Sequence, residues 1–220
     1  MKIKYCFLSV LGFIFALAFN GCKKDEQSTT PFDYSYFPMA VGDSLVYDVT
    51  AYNRDIVETD SSYQLLERVE SIFDDNEGRP TFRLERYVRN VVGEPWTIYK
   101  VWTANRTIAQ VEKKEDNITY IKLLFPVEKN LSWDGNIKNI AANQKEDYRI
   151  TSFNEPLNLG SIYFDSTLTV TQEDDSSFIE NIYHAEVYAK GIGMIYKVQS
   201  DSLQGNRVSR YTETLIYSNK

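Results

Sequence analysis

The sequence predicts an all-β protein whose antiparallel strands form a strongly curved sheet, an open barrel or a sandwich of about ten to twelve strands. Apolar and polar residues alternate with a period of two along many short segments, which is typical of half-buried strands. Clusters of glycine, asparagine, aspartate and proline separate these segments at short intervals. No segment after residue 21 shows a strong helical pattern, so the strands alone decide the fold class.

The first third of the predicted domain contains three strands. Residues 45–51 alternate between apolar and polar side chains. Residues 63–73 would also form an apolar stripe on a helix, but the turn at residues 74–78 and a returning arm at residues 80–91 favour a hairpin. One face of this arm carries Phe82, Leu84 and Val88.

The middle of the chain continues the same pattern. Residues 96–103 form the next predicted strand, and residues 107–112 and 118–125 form a hairpin. Pro126 ends that hairpin, because proline has no N–H to donate to a ladder. We expect residues 128–146, which are mostly polar, to be the longest irregular connection.

The last third has the most regular alternation. Residues 162–171 form a predicted strand, and the acidic residues 173–177 form a solvated break after it. Three more strands are predicted at residues 183–189, 192–198 and 211–217. A convincing internal repeat is absent from the sequence, so we do not expect a repeat protein.

The start of the chain combines a basic head, an apolar run and a cysteine. Lys2 and Lys4 precede the apolar residues 5–19, and Gly21 precedes Cys22. This order is typical of a secretory signal, and the apolar run is shorter than the ~20 residues of a membrane-spanning helix. The cysteine at the cleavage point resembles the bacterial lipoprotein signal, which implies that Cys22 receives the lipid and becomes the new N-terminus.

These features predict the domain organisation. We expect residues 1–21 to be removed, residues 22–35 to form a flexible tether with the lipidated cysteine, and residues 36–220 to form a single all-β domain. Two or more acyl chains, palmitate for example, hold a protein stably on a membrane. The alternative is a plain secreted protein cut near Gly21.

Charge and cysteine content exclude several classes of function. The mature chain would carry 22 basic and 31 acidic residues, a net charge of −9. We therefore expect no nucleic-acid partner, because affinity for nucleic acid depends on neutralising phosphates. Cys6 leaves with the signal and Cys22 carries the lipid, so the folded domain has no thiol for a disulfide, a metal or a nucleophile.

Three segments carry a resemblance to a protein family. Residues 36–44 (YFPMAVGDS), residues 131–136 (LSWDGN) and residues 188–196 (YAKGIGMIY) are similar to segments of a group of uncharacterised Bacteroidetes outer-membrane lipoproteins. The chain departs from the group at Leu45 and Val46, where tryptophan is usual. The resemblance implies a mainly antiparallel β domain that a lipid anchors to the outer membrane, and it implies no activity.

The segment after the cysteine carries a second resemblance. Residues 22–26 (CKKDE) are similar to the signal of lipoproteins that Bacteroidetes export to the outer leaflet. That similarity implies a protein exposed at the cell surface. The alternative is a charged and solvated tether that leaves the protein on the periplasmic side.

The candidates for chemistry are few. His184 is the only histidine and could act as a general base beside Glu186 or Glu180, but a lone histidine in a strand is more often simply half exposed. The acidic runs at residues 74–78 and 173–175 could bind calcium, although neither has the spacing of a calcium loop. Gly191 is better explained by a turn with positive φ than by a nucleotide-binding loop. We therefore predict no catalytic, cofactor-binding or metal-binding residue, and lipidation at Cys22.

The remaining signal is aromatic. Sixteen tyrosines and three tryptophans could stack on sugar rings or line a lipophilic groove, or could simply bridge core and water on a two-faced sheet. The sequence favours a non-catalytic module at the cell envelope that binds a glycan or a lipophilic ligand. The alternatives are a structural partner of an outer-membrane assembly and a hydrolase with two facing carboxylates of raised pKa.

Overall fold

The computed structural model describes residues 33–139, 145–205 and 207–220, and these residues form an almost entirely β structure. A single turn of 3-10 helix, Tyr34–Tyr36, precedes the strands. The twelve strands are β1 (Ser44–Arg54), β2 (Glu58–Asp74), β3 (Pro80–Arg89), β4 (Thr97–Arg106), β5 (Gln110–Glu115), β6 (Ile118–Leu124), β7 (Ser132–Asp134), β8 (Asp147–Leu159), β9 (Ile162–Ser176), β10 (Glu180–Ala189), β11 (Gly193–Leu203) and β12 (Arg207–Ser218).

The strands form one antiparallel sheet in the order β6-β5-β4-β3-β2-β1-β12-β11-β10-β9-β8-β7. The sheet therefore consists of two six-stranded meanders, β1–β6 and β7–β12, which are joined where the first strand pairs with the last. The sheet curves into a nearly closed barrel. The predicted all-β, antiparallel fold with ten to twelve strands is confirmed, and the barrel is chosen over the sandwich.

The seam of the barrel lies between β6 and β7. The Ile121 N–H donates to the Gly135 carbonyl at 2.9 Å, and the Trp133 indole N–H donates to the Ile121 carbonyl at 2.7 Å. Gly135 has no room for a side chain, because a Cβ atom there would lie 2.5 Å from the Tyr148 ring. A residue with a side chain at this position would therefore displace the Tyr148 ring of β8.

The residues before β1 cover one end of the barrel, and we call residues 33–43 the strap. Tyr36 is fully buried, and its hydroxyl lies 2.6 Å from the Ser166 hydroxyl. Gly191, with φ near 80°, turns the β10–β11 connection so that its N–H donates to the Ser35 carbonyl at 2.8 Å. We call the end of the barrel that the strap covers the strap end. The opposite end, where β1 turns into β2, is called the open end.

The apolar core is divided between three clusters of side chains. The largest lies under the strap and joins Tyr36 to apolar residues of β5, β6, β8, β9 and β10. The second is centred on β1, β10 and β11, and the third packs Leu84 and Trp102 against Phe37 and Met39 of the strap. The strap thus contributes side chains to two of the three clusters.

The structure differs from the sequence-based expectation in three segments. Within the expected irregular connection, residues 128–146, a short strand, β7, is present, and the long strand β8, which was not predicted, begins directly after it. β8 was not predicted because its register shifts three times, near Ile150, Phe153 and Glu155, and the shifts destroy the alternation. The predicted break at residues 173–177 was wrong for residues 173–176, which continue β9. Among the described residues, no helix is long and apolar enough to cross a membrane.

Candidate functional site

Charged side chains line the inside of the barrel, where an apolar core would be expected. Four bases and four acids take part, and five of the eight are more than nine-tenths buried. We call this set the charge network: Arg86, Lys113, Lys122, Lys197, Glu67, Glu115, Glu186 and Glu213. Buried charges require partners, and this set is balanced in sign.

The ion pairs reach across the interior instead of following the ladder. Lys122 of β6 donates to Glu186 of β10 at 2.6 Å, although these strands are not neighbours in the sheet. Arg86 of β3 pairs with Glu213 of β12 at 2.8 Å over the intervening β2 and β1. The charge network therefore connects opposite sides of the barrel.

Glu186 is the most enclosed member of the network. Its carboxylate accepts hydrogen bonds from Lys122 and from the Tyr188 hydroxyl, the latter at 2.5 Å, and Lys197 lies 3.7 Å away. Burial opposes its negative charge, but Lys122 and Lys197 hold the pKa of Glu186 below its ordinary value. Burial likewise opposes the charge of Lys122, and Glu115 and Glu186 raise its pKa. Both partners therefore stay charged.

Arg86 is held by a second part of the network. Its guanidinium stacks on the Trp102 ring, with 4.0 Å from Cζ to the ring centroid, and pairs with Glu213 and Glu67. Burial opposes its charge, but Glu213 and Glu67 raise the pKa of Arg86. The Tyr211 hydroxyl donates to Glu213 at 2.7 Å. Among the described residues, Arg86 Nε and Glu213 Oε2 are the buried side-chain atoms without a hydrogen bond.

A polar cavity of about 900 Å³ opens beside this network at the open end. This volume is at the upper end of the 300–1,000 Å³ typical of ligand sites. Glu115, Lys122 and Lys197 of the network line it, together with Tyr120, Tyr148 and Gln199. Amide, hydroxyl and charged groups thus face the same space, so the cavity suits a ligand with many hydrogen-bonding groups.

His184 lies in the wall of this cavity between two carboxylates. Its Nε2 is 2.7 Å from Asp201, and its Nδ1 is 3.3 Å from Glu173. β9, β10 and β11 are neighbours, so the three side chains cross-link adjacent strands. The partners are not Glu186 or Glu180, the two carboxylates that the sequence analysis considered, because alternation and a register shift beside Ala185 turn Glu173 toward the ring.

A second, apolar cavity lies beneath the strap, and its volume of about 40 Å³ has room for only a few water molecules. Pro38 and Met39 of the strap lie on one side of it and Val69 and Met194 on the other. Lys122 borders this cavity as well as the polar one. The Lys122–Glu186 pair therefore lies between the polar and the apolar parts of the interior.

The predicted lipidation site, the tether and the first acidic run lie away from the polar cavity or outside the described residues. Cys22, the predicted lipidation site, and residues 1–21 lie outside the described residues. Residues 33–35, which we assigned to the tether, contact the barrel: Lys190 pairs with Asp33 at 3.0 Å. Asp75 in the first acidic run accepts hydrogen bonds from the Glu77 and Arg79 N–H groups. The described residues contain no group of three or more His, Cys, Asp or Glu side chains arranged to hold a metal.

The acids do not include a pair with raised pKa. Every carboxyl in the described part of the chain whose pKa departs from its ordinary value is shifted downward. These carboxyls are Glu70, Asp75, Glu85, Glu112, Glu115, Asp116, Glu155, Glu186 and Glu213. Hydrogen bonds or basic neighbours favour the charged form in each case.

The aromatic side chains are divided between the core and the surface. Trp102 stacks under Arg86, and Trp133 packs edge-on to Tyr148, with 6.0 Å between the ring centroids. Tyr99, Tyr163, Tyr183 and Tyr217 are exposed to solvent. Tyr120 and Tyr148 are thus the aromatic residues that face the polar cavity.

Comparison with known proteins adds two similar structures. No protein-family model matches the chain, and no curated protein matches it. One similar structure is a Bacteroides fragilis protein described as a "putative exported protein with YmcC-like fold": 13% identity, 84% of this chain, 98% of that chain and a TM-score of 0.45. Another is a "putative lipoprotein" of Parabacteroides distasonis: 14% identity, the same coverage of both chains and a TM-score of 0.39.

Proposed function

We propose that this chain is a lipid-anchored protein of the bacterial cell envelope, held in the outer membrane through acyl chains on Cys22. The support is the order of basic head, apolar run, Gly21 and Cys22 at the start of the chain. Residues 23–26 favour exposure at the cell surface. The described residues begin at the strap end, so this end would face the membrane and the polar cavity would face away from it.

The two cysteines provide a matched test of the anchor. Cells that express the full chain are labelled with a palmitate analogue, and their proteins are partitioned between detergent and water. We expect Cys22→Ser to abolish both the label and the partition into detergent, whereas Cys6→Ser should change neither. Label or detergent partition that survives in Cys22→Ser would contradict the anchor.

We further propose that the protein binds a polar glycan in the cavity at the open end and does not transform it. The observation that carries this proposal is the 900 Å³ volume lined by amide, hydroxyl and paired charged groups. A lipophilic ligand has less support, because the apolar cavity is about 40 Å³. Hydrolysis also has less support, because a general acid for glycosides needs a raised pKa and the shifted carboxyls have lowered ones.

Binding is tested by calorimetric titration of the mature chain with neutral and acidic oligosaccharides. Gln199 lines the cavity, and Ser200 is next to it on the opposite face of β11. We expect Gln199→Ala to weaken binding of a neutral oligosaccharide about tenfold, the loss of one well-placed hydrogen bond. Ser200→Ala should bind like the wild type. The absence of binding to every member of the panel would contradict the proposal.

A second candidate is an interaction module within an outer-membrane assembly. Two hairpin turns at the open end carry adjacent pairs of exposed apolar residues, Ile56 with Val57 and Phe178 with Ile179. Such residues on loop tips are typical of protein contacts. A photo-crosslinking residue at position 178 should then yield one discrete adduct in intact cells, and the same residue at position 129, in the connection between β6 and β7, should not.

A further inference from the structure

Six neighbouring strands continue beyond the barrel at the open end. β2 last pairs with β3 at Gln64, and β9 last pairs with β8 at Thr171. Beyond these points β2, β1, β12, β11, β10 and β9 pair only with each other, and we call this projecting part the wall. From Gln64 to Glu58 it rises about 20 Å at ~3.3 Å per residue, and six strands span about 24 Å at ~4.8 Å spacing.

The inner face of the wall is continuous with the polar cavity. Successive residues of a strand point to opposite faces of the sheet. Every second residue from His184 and Gln199 toward the tip of the wall therefore lies on the same face as these two residues. Cross-strand pairing defines two rows on this face. The lower row is Ser61, Ala51, Tyr211, Gln199, His184 and Glu173. The upper row is Thr59, Asn53, Ser209, Asp201, Ile182 and Asp175.

The chemistry of the two rows changes along the wall. Next to the cavity, the acidic side chains of Glu173 and Asp201 both contact the His184 ring. Toward β2 the rows contain hydroxyl and amide groups without charge. Between described residues, no hydrogen bond engages the side chains of Asn53, Thr59 or Ser209, so their donors and acceptors face solvent.

On the basis of the glycan site proposed above, we propose that the ligand is an extended, neutral glycan chain. One end of the chain occupies the cavity, and further sugar units lie along the inner face of the wall. Uncharged hydroxyl and amide groups match the hydroxyl groups of sugars. A wall about 24 Å wide accommodates several sugar rings. An acidic polysaccharide is disfavoured, because it would meet Glu173, Asp175 and a mature chain with a net charge of −9.

The test measures how affinity depends on chain length. The mature protein is titrated with N-acetylglucosamine and with glucose, with their β-1,4-linked oligomers up to the hexasaccharide, and with polygalacturonate as the acidic chain. We expect the hexasaccharide of one series to bind at least tenfold more tightly than its monosaccharide, and polygalacturonate not to bind.

Two double variants locate the extra affinity. Asn53→Ala with Ser209→Ala removes polar groups from the inner face of the wall, and Ser62→Ala with Ser200→Ala makes matched changes on the outer face. We expect the inner variant to lower hexasaccharide affinity about fivefold and to leave monosaccharide affinity unchanged. The unchanged monosaccharide affinity would also show that the variant is folded. The outer variant should behave like the wild type.

The possible results distinguish the extended glycan chain from the glycan site in the polar cavity. Equal affinity for monosaccharide and hexasaccharide, with no effect of the inner variant, would overturn the extended chain but leave the cavity as a glycan site. Binding of polygalacturonate would overturn the neutral class of ligand. If no member of the two neutral series binds, both proposals are overturned.

Discussion

At the scale of single residues, the charge network distinguishes this barrel from one with an apolar core. Glu186, Glu213, Lys122 and Arg86 are almost completely buried, and each has an oppositely charged partner. A buried pair need not stabilise a protein more than apolar residues would, but the loss of one partner leaves an uncompensated charge in the interior. The network should therefore be sensitive to single substitutions.

Substitution of Lys122 tests this sensitivity. We expect Lys122→Met to lower the free energy of unfolding by about 3–5 kcal/mol, because Glu186 would keep only the more distant Lys197. The matched control is Lys129→Met, which breaks the half-exposed pair with Glu155 and should cost less than about 1 kcal/mol. Both are measured by denaturant unfolding. Equal losses in the two variants would show that the network contributes little.

Glu85, on the outer face of β3, provides a prediction about pH. Hydrogen bonds from Tyr87, Arg83 and Arg68 lower its pKa to about 2, compared with about 4.3 in an unfolded chain. A lowered pKa stabilises the folded state above the unfolded value, and that contribution is lost as the pH falls through about 2.

We therefore expect Glu85→Gln to reduce the free energy of unfolding by about 1–3 kcal/mol at pH 7. The difference from the wild type should shrink between pH 5 and pH 2, where Glu85 of the wild type becomes protonated. The measurement is a series of denaturant titrations across this range. A difference that stays constant with pH would contradict the assignment.

The charge network could have been anticipated only in part. Arg86 stands between Leu84 and Val88 on the apolar face of β3, and alternation alone places its side chain inside. Its partner Glu213 is 127 residues away in the chain, and Lys122 and Glu186 are 64 residues apart. The sequence therefore indicates that charges face inward, but the pairing depends on the curvature of the whole sheet.

At the scale of elements, alternation predicts the strands well where the ladder is regular and fails where it shifts. β1 and the first part of β9 keep their alternation, and both were predicted. β8 shifts register three times, includes Asn154 with positive φ, and contains Pro156. Each irregularity exchanges the faces of the residues that follow it, so no periodic signal is left.

The strap is a short element with a large share of the core. We expect Tyr36→Ala to lower the free energy of unfolding by about 3–5 kcal/mol, because this side chain is fully buried in the largest cluster. Tyr36→Phe should cost about 1 kcal/mol, since it removes only the hydrogen bond with Ser166. Denaturant unfolding measures both. A loss below 1 kcal/mol for the alanine variant would mean that the strap is not part of the core.

At the scale of the whole molecule, the strap and both meanders contribute to the core of the described residues. All three apolar clusters and the charge network lie within residues 33–220. The pairing of β1 with β12 joins the two meanders, and the seam at Trp133 brings their other edges together. Period-two alternation predicted most strands of both meanders, β7 and β8 excepted, but not which strands would meet.

This organisation predicts where the chain can be shortened. A chain of residues 33–220 should unfold cooperatively and at the same denaturant midpoint as the mature chain, because it contains all three apolar clusters and the charge network described above. A chain of residues 44–220 lacks the strap and should have a clearly lower midpoint. Failure of residues 33–220 to unfold in one transition would show that the preceding residues contribute to the fold.

The pairing of the first strand with the last also has a consequence for biosynthesis. Each meander can grow by adding one hairpin at a time as the chain is made, but β1 must wait for β12, the last of the twelve strands in chain order. A nascent chain that still lacks its C-terminal residues thus cannot close the ring. The two meanders therefore stay unjoined at this pairing until β12 has been made, which leaves β1 as an unpaired sheet edge during that time.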